Sequence, residues 1–374
     1  MTPPEVLVDT APSVRHVVTR WLKGRVSGMC LGLPEWDDRL EVWRVALISE
    51  TDDTSTLGEV RVVNGVVVWN SDLALVGERR RSLRPVERSR DQASISFAQL
   101  PSTLFLGDAR DVAAELPAGA VQLVFTSPPY FNAKPDAHES LNYERYLALL
   151  RDVFTKCHMA LSEGRFLVVN TSPVLIRRPH RQASSRRIPI TYDLHPILDA
   201  IGFDFIDDII WQKPEGAGWH LGRGRRFAAD RQPLQYKAVT VTENVTVYRK
   251  RTKRLIDWNL RQHPDRTAVE ASRIADGYER TNIWRLGPAH HSKHPCVFPE
   301  SLAERVIRYY SFIGDMVLDP FAGTGTTGRV AARLGRRFAL IERAPGYFAI
   351  QTADPEVMGS GPRVNDSTFF ASTL

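Results

Sequence analysis

The stretch MVLDPFAGTGTTGRVAARLGRRFALIE, residues 316–342, decides the fold. It opens on an apolar strand pattern, MVLDP (316–320), passes through a glycine-rich turn, becomes helical from about Thr327 and closes on a second strand pattern, RFALIE (337–342). Strand, glycine turn and helix start in that order make a site for a small charged ligand. The glycines admit close backbone approach, and free N–H groups at the helix start favour a carboxylate or phosphate. Gly323 and Gly328 have the spacing of a phosphate-cradling P-loop, but Arg329 and Val330 stand where its lysine and magnesium-binding hydroxyl belong. That argues against a nucleoside triphosphate.

The same rhythm extends upstream. TLFLG (103–107), VQLVFT (121–126), RFLVVN (165–170), FDFIDDIIW (203–211) and ENVTVYR (243–249) read as strands. Helical patterns at 143–161, 191–202 and 301–311 lie between them. Alternation of this kind predicts a mostly parallel sheet with helices on both faces. Ahead of it, LEVWRVALIS (40–49), GEVRVV (58–63) and VVVWN (66–70) read as strands, with a hairpin turn at Asn64-Gly65 and a helix near Val14–Leu22. The charged, apolar-poor run RRRSLRPVERSRDQAS (79–94) separates the two patterns. The reading is therefore a small mostly-β module over 1–80, a linker over 81–100, an α/β domain over 101–352 and a tail over 353–374.

Composition sets bounds. With 374 residues, 43% hydrophobic and 25% charged, the chain has the make-up of a soluble globular protein of two or three domains. No apolar run approaches the roughly 20 residues that cross a bilayer, and the first residues carry no signal-peptide pattern, so a cytoplasmic setting is expected. Cys30, Cys157 and Cys296 are odd in number and far apart, which argues against a disulfide framework or a structural zinc. A net charge of +6 tilts toward a polyanionic partner.

One loop remains, TSPPYF (126–131), at the end of the strand VQLVFT. A bare Pro-Pro-Tyr is usually a loop ender with a surface tyrosine. Together with HPCVFPESLAERVI (294–307) and the glycine-turn stretch, it resembles the DNA amino-methyltransferases that use S-adenosylmethionine. IIWQKP (209–214) and TNIW (281–284) are lesser landmarks, and the resemblance covers roughly residues 100–350. The order, TSPPY loop first and glycine loop last, is similar to the β class, whose common fold is circularly permuted. The resemblance implies a Rossmann-like sheet of seven strands, one antiparallel near an edge, running in family order from third to seventh and then first and second.

It also implies roles. Ser127, Pro128, Pro129 and Tyr130 form the catalytic loop: the Ser127 hydroxyl and the Pro128 carbonyl accept hydrogen bonds from an exocyclic amine, and Tyr130 stacks on a flipped base. Diproline has fixed φ angles and no N–H donors, so the loop holds its carbonyls with little entropy to lose. On this reading the two aromatics are exposed, waiting for a base. For the cofactor, S-adenosylmethionine, Asp319 through Gly325 surround the methionine end, with Phe321, Gly323 and Gly325 in the loop and Thr326 or Thr327 near the carboxylate. Glu342 holds the ribose hydroxyls. Asp108 lies near the adenine, with a salt bridge as its equal alternative. No metal is expected.

Serine at the head of the loop is the usual pattern for cytosine N4, whereas adenine-N6 enzymes mostly carry aspartate. Cytosine N4 is thus the expectation, with adenine N6 and a non-catalytic DNA-binding protein as alternatives and RNA as another substrate. Pro295-Cys296 matches the Pro-Cys dipeptide of carbon-5 chemistry but precedes the cofactor loop, and His294 is as easily structural. The implied partner is double-stranded DNA, with a cognate restriction endonuclease or other defence-system component beside it. The target-recognition region is expected over 250–284, and the basic loops 176–187 and 220–231 suit phosphate contacts.

Overall fold

A computed structural model describes residues 10–49, 56–82, 100–131, 142–176, 186–214, 233–234, 240–289 and 298–366. The chain divides into two compact units, Met1–Ala93 and Ser94–Leu374.

In the first unit, helix Ala11–Leu22 lays Val14, Val18 and Leu22 on Val45, Leu47, Val60 and Val62 of an antiparallel sheet. The strands Thr56–Val63 and Val66–Asn70 are joined at Asn64 and Gly65, whose φ values of 47° and 72° are the positive values a tight hairpin requires. A helix over Leu73–Ser82 enters the stretch read as linker from its charge alone, and residues 83–99 lie outside the described residues.

The second unit is built on one sheet. Its strands are β1 (Thr103–Leu106), β2 (Val121–Thr126), β3 (Leu161–Thr171), β4 (Phe203–Gln212), β5 (Thr242–Lys250), β6 (Ile283–Arg285), β7 (Met316–Asp319), β8 (Arg337–Glu342) and β9 (Arg363–Asp366). They lie in the order β6-β4-β5-β3-β2-β7-β8-β1-β9. Only β5 runs antiparallel to its neighbours β4 and β3; the other pairings are parallel. The seven expected strands are all present, and one short strand extends each edge. At one edge β6 takes up TNIW; at the other β9 pairs with β1 inside the expected tail.

The helices that matter for the site are α1 (Ala109–Glu115), α2 (Tyr143–Ala160), α3 (Ile190–Ile201), α4 (Glu300–Tyr310), α5 (Thr326–Arg333) and α6 (Pro345–Thr352). Alternation along the central strands feeds two cores, as expected where both faces of a parallel sheet are covered. Met316 and Leu318 of β7 and Ala339 and Ile341 of β8 share one core with Leu150, Phe154 and Leu194 of α2 and α3. Val317, Phe338 and Leu340 face the other way, toward Leu302, Val306 and Val330 of α4 and α5.

At the amino-terminal ends of the parallel strands, Arg165 and Asp315 form an ion pair, each side chain 3% exposed. Arg165 also donates to the Gln122 carbonyl (3.0 Å), and Gln122 Oε1 accepts from Met316 N (2.8 Å), so the pair ties β2, β3 and β7 together. Burial works to raise the Asp315 carboxyl, but the charge of Arg165, the nearby His263 and a hydrogen bond from Phe312 N (2.7 Å) hold it below its ordinary value. The segment expected to recognise the target leans on this same end. Asn259 donates to the Glu163 carbonyl (3.1 Å), Ser272 Oγ accepts from Ile313 N (2.7 Å), and His263 lies 3.9 Å from Asp315. Residues 259–272 are therefore placed at the end of the sheet opposite Ser127, because β5 descends antiparallel and delivers the chain there.

Removing one partner of a buried pair strands the other charge. Asp315→Ala is expected to destabilise the second unit by about 3–5 kcal/mol, read from the urea unfolding midpoint; a loss under about 1 kcal/mol, the size of an exposed pair, would show that the pair is not a structural tie.

Candidate active site

The loops after β2 and β7 leave neighbouring parallel strands at their carboxyl ends, Leu318 standing opposite Val124 in register. From this pair the chain runs outward in opposite directions, β2 leading to β3 and β7 to β8. Such a divergence opens a crevice at the strand ends, where ligands bind in open α/β sheets.

Asp319 joins the two loops. Its Oδ1 accepts from Thr126 Oγ1 (2.6 Å), the last residue of β2, and from Phe321 N (3.1 Å); its Oδ2 accepts from Thr327 Oγ1 (2.6 Å) on α5. Asp319 is 1% exposed and Thr327 fully buried. Both were expected to line the cofactor. The structure places their side chains beneath the loop, Thr327 Oγ1 on Asp319 Oδ2 and Asp319 Oδ1 on Thr126 and Phe321 N. Burial pushes the Asp319 carboxyl up to about 6, against the three donors that favour its charged form.

The loop above them is set by two glycines with positive φ, Gly323 (54°) and Gly325 (84°), the latter capping the start of α5. Only residues without a side chain take these angles at no cost. Of the two threonines, Thr326 has the available hydroxyl: its Oγ1 is buried and has no hydrogen-bond partner. Gln351 of α6 donates Nε2 to the Gly323 carbonyl (2.7 Å). Phe321 is partly buried against the α2/α3 core.

Glu342 ends β8. Its Oε2 accepts from Gly323 N (2.8 Å) and its Oε1 from Ala344 N (2.7 Å). Burial raises its carboxyl and these two amides pull it back. Each oxygen keeps a second lone pair, so the group can still accept from ligand hydroxyls. On the adjacent strand, Glu342 stands opposite Leu106, two residues before Asp108. Asp108 caps α1 by accepting from Arg110 N (2.9 Å) and takes the Arg110 guanidinium on both oxygens (3.0 and 2.9 Å). The salt-bridge alternative is therefore realised, and Arg110 with Arg343 nearby holds its carboxyl low.

In the TSPPY loop, Ser127 is partly exposed, Pro128 buried and Pro129 exposed. Ser127 Oγ donates to the Asn170 carbonyl on β3 (3.2 Å), and Asn170 Nδ2 lies 3.4 Å from the same oxygen. Tyr130 is half-buried with its phenol donating to Glu243 Oε2 (2.7 Å). Phe131 corrects the expectation of two waiting aromatics. It is buried, with ring centroids 5.2 and 5.6 Å from Tyr143 and Tyr146 of α2, and acts as the anchor of the loop. Glu243, Asn170 and Lys213 escaped the sequence reading because they lie on three different strands or strand ends. The one available signal was a glutamate at the head of an otherwise apolar strand, ENVTVYR. His294, Pro295-Cys296, residues 177–185 of the first basic loop and the whole of 220–231 lie outside the described residues.

The crevice fits S-adenosylmethionine on its own terms. It offers a buried unpartnered hydroxyl at Thr326, the amides of a helix start and a carboxylate at the end of the next strand. A family model for DNA methylases of the N6 and N4 type matches residues 121–353. The chain belongs to this DNA methylase family. The methylase is 25% identical over 272 residues to the Type II methyltransferase M.BglII of Bacillus subtilis, covering 70% of this chain and 72% of that protein. It is 27% identical over 275 residues to M.HinfI of Haemophilus influenzae, covering 71% and 70%. Among solved structures, TTHA0409 of Thermus thermophilus, described as a DNA modification methylase and complexed with S-adenosyl-L-methionine, superposes with a TM-score of 0.55 at 30% identity, covering 71% of this chain and 99% of that one. The methylase is thus a β-class enzyme that uses S-adenosylmethionine, and among its described residues no helix is long and apolar enough to cross a membrane and no group of side chains suits a metal.

Because the folded Asp319 keeps its proton to about pH 6 while an unfolded aspartate loses it near 3.8, this group costs stability as pH rises through that window. Donors to the charged form reduce that cost. Thr327→Val is therefore expected to destabilise the methylase by about 1–3 kcal/mol at pH 7.5 and by less at pH 5, where the carboxyl holds its proton. Chemical unfolding at the two pH values checks this, and equal losses would contradict the assigned charge.

Proposed function

We propose that the enzyme methylates the exocyclic N4 amine of cytosine in duplex DNA, with Ser127, Pro128 and Tyr130 as the catalytic residues. The observation that carries this reading is the neutral hydroxyl of Ser127 at the head of the loop, on a strand end joined to the cofactor loop through Thr126 and Asp319. Bound S-adenosylmethionine supplies an electrophilic methyl group on sulfur. An exocyclic amine is a poor nucleophile because its lone pair is delocalised into the ring. The Ser127 oxygen and the Pro128 carbonyl accept its two hydrogens and favour a more tetrahedral nitrogen, an interaction that strengthens toward the transition state. As the nitrogen–carbon bond forms and the carbon–sulfur bond breaks, one proton leaves the nitrogen for solvent. Tyr130 supplies a ring face for the base once it has left the duplex.

For the cofactor, Thr326, the α5 start and the Gly323–Gly325 backbone take the methionine end, and Glu342 takes the ribose hydroxyls. Asp319 and Thr327 support that loop from below. Asp108 faces the adenine end only through what its Arg110 pair leaves free.

The reading is tested by incubating unmethylated phage DNA with the enzyme and methyl-labelled S-adenosylmethionine, followed by nucleoside mass spectrometry. The expected product is N4-methylcytosine, lost by at least about 100-fold in Ser127→Ala, as on removal of a transition-state hydrogen-bonding group. N6-methyladenine would keep the mechanism and overturn the base. No methylated base on DNAs of varied sequence, with cofactor binding intact, would leave a binding protein or another substrate.

A further inference from the structure

The TSPPY loop is held from the side opposite the cofactor by a buried charge that the transfer chemistry above does not use. Glu243, at the start of β5, is 5% exposed. Its Oε1 meets the ammonium of Lys213, the residue just past β4. Its Oε2 accepts from the Tyr130 phenol (2.7 Å) and from Asn170 Nδ2 (2.8 Å). Asn170 is 1% exposed and meets the loop at one atom, Ser127 Oγ, which its carbonyl accepts from (3.2 Å) and its Nδ2 approaches (3.4 Å). One carboxylate thus governs both working ends of the loop. Lys213 is fixed in turn, its amide donating to the Val241 carbonyl (2.8 Å) and its ammonium 4.5 Å from the centroid of the Trp211 ring.

Burying a glutamate–lysine pair this far costs hydration. Apolar side chains fill such a space at least as stably, so packing alone does not account for it. A carboxylate does here what an apolar group cannot: it accepts two strong hydrogen bonds from groups that themselves determine where Tyr130 and Ser127 stand. A base that must slide against the Tyr130 ring and place its amine at Ser127 loses rate steeply if either is displaced by about 1 Å.

We propose that Glu243, paired with Lys213, is a positioning residue for methyl transfer, presetting Tyr130 through its phenol and Ser127 through Asn170 before DNA arrives. The proposal rests on the assignment of Ser127 and Tyr130 as catalytic, and its test separates the two. Hydrogen–deuterium exchange of the peptide spanning residues 124–131, which carries the amides of Ser127, Tyr130 and Phe131, reads loop order without activity. Glu243→Ala is expected to speed that exchange about tenfold or more, the equivalent of one hydrogen bond to a charged group. Tyr130→Phe should move it in the same direction, and the double variant no further than Glu243→Ala alone. Glu243→Gln, which keeps an acceptor and fills the space, should restore part of the protection and guards against a variant that merely misfolds. In single-turnover methylation of the phage DNA, Glu243→Ala should lower the rate about 10²-fold, the cost of a misplaced reacting group, with S-adenosylmethionine affinity, measured by calorimetry, unchanged. Unchanged exchange, additive effects of the two substitutions, or a rate loss explained by weaker cofactor binding would each overturn the proposal. A wild-type enzyme that methylates nothing would instead remove the assigned function, while the exchange data would still decide whether Glu243 sets the loop.

Discussion

A single buried carboxylate makes the two loops one site. Asp319 takes a hydroxyl from the end of β2, a hydroxyl from α5 and an amide from its own turn. The two hydroxyl donors, Thr126 and Thr327, are fully buried, where a lost partner is costly. The position of the glycine turn over the sheet, the entry angle of α5 and the height at which the TSPPY loop leaves β2 are all set by this group.

The remaining polar groups divide the crevice into two halves with separate supports. Glu342, with Gly323 N and Ala344 N, shapes the half that continues toward β8 and β1. Glu243, with Lys213 and Asn170, shapes the half over β3, β4 and β5. Tyr130 and Ser127 hang from the second half and the helix start belongs to the first, with Asp319 joining the two through Thr126 and Thr327. Phe131, wedged among Tyr143 and Tyr146, gives the loop its buried apolar foothold, with Tyr130 packed against the same core.

The fold was legible wherever a strand is buried on both faces. VQLVFT and RFALIE are each apolar at four of six positions, with apolar residues on both faces, and their ends match the structure to the residue. The edge strand Arg363–Asp366 was not legible, because with Val364 half exposed and polar neighbours it has no apolar run to betray it. Helix Leu73–Ser82 was hidden by its arginines, since charge density reads as linker unless packing is known. In the site, motif spacing found the right loops but not the direction of each side chain. Thr326 and Thr327 are adjacent in sequence, yet one leaves its hydroxyl unpaired and the other turns it to Asp319. The segment over 250–284 was assigned by family position, and only the antiparallel course of β5 reveals which end of the sheet its first part reaches.

The hydrogen bond from Thr126 to Asp319 joins residues 193 positions apart. On the ribosome, β2 and its diproline loop emerge long before β7 exists. Until the last fifth of the chain is made, β2 has β3 on one side and a bare ladder of N–H and C=O groups on the other. From the completion of β3 at Thr171 until β7 begins at Met316, the nascent protein therefore carries an open sheet edge, a template for pairing with the wrong strand, and its relative dependence on distant contacts slows closure. Permutation has a kinetic meaning in this chain: β7 and then β8, both made late, join β2 to β1 across the middle of the sheet.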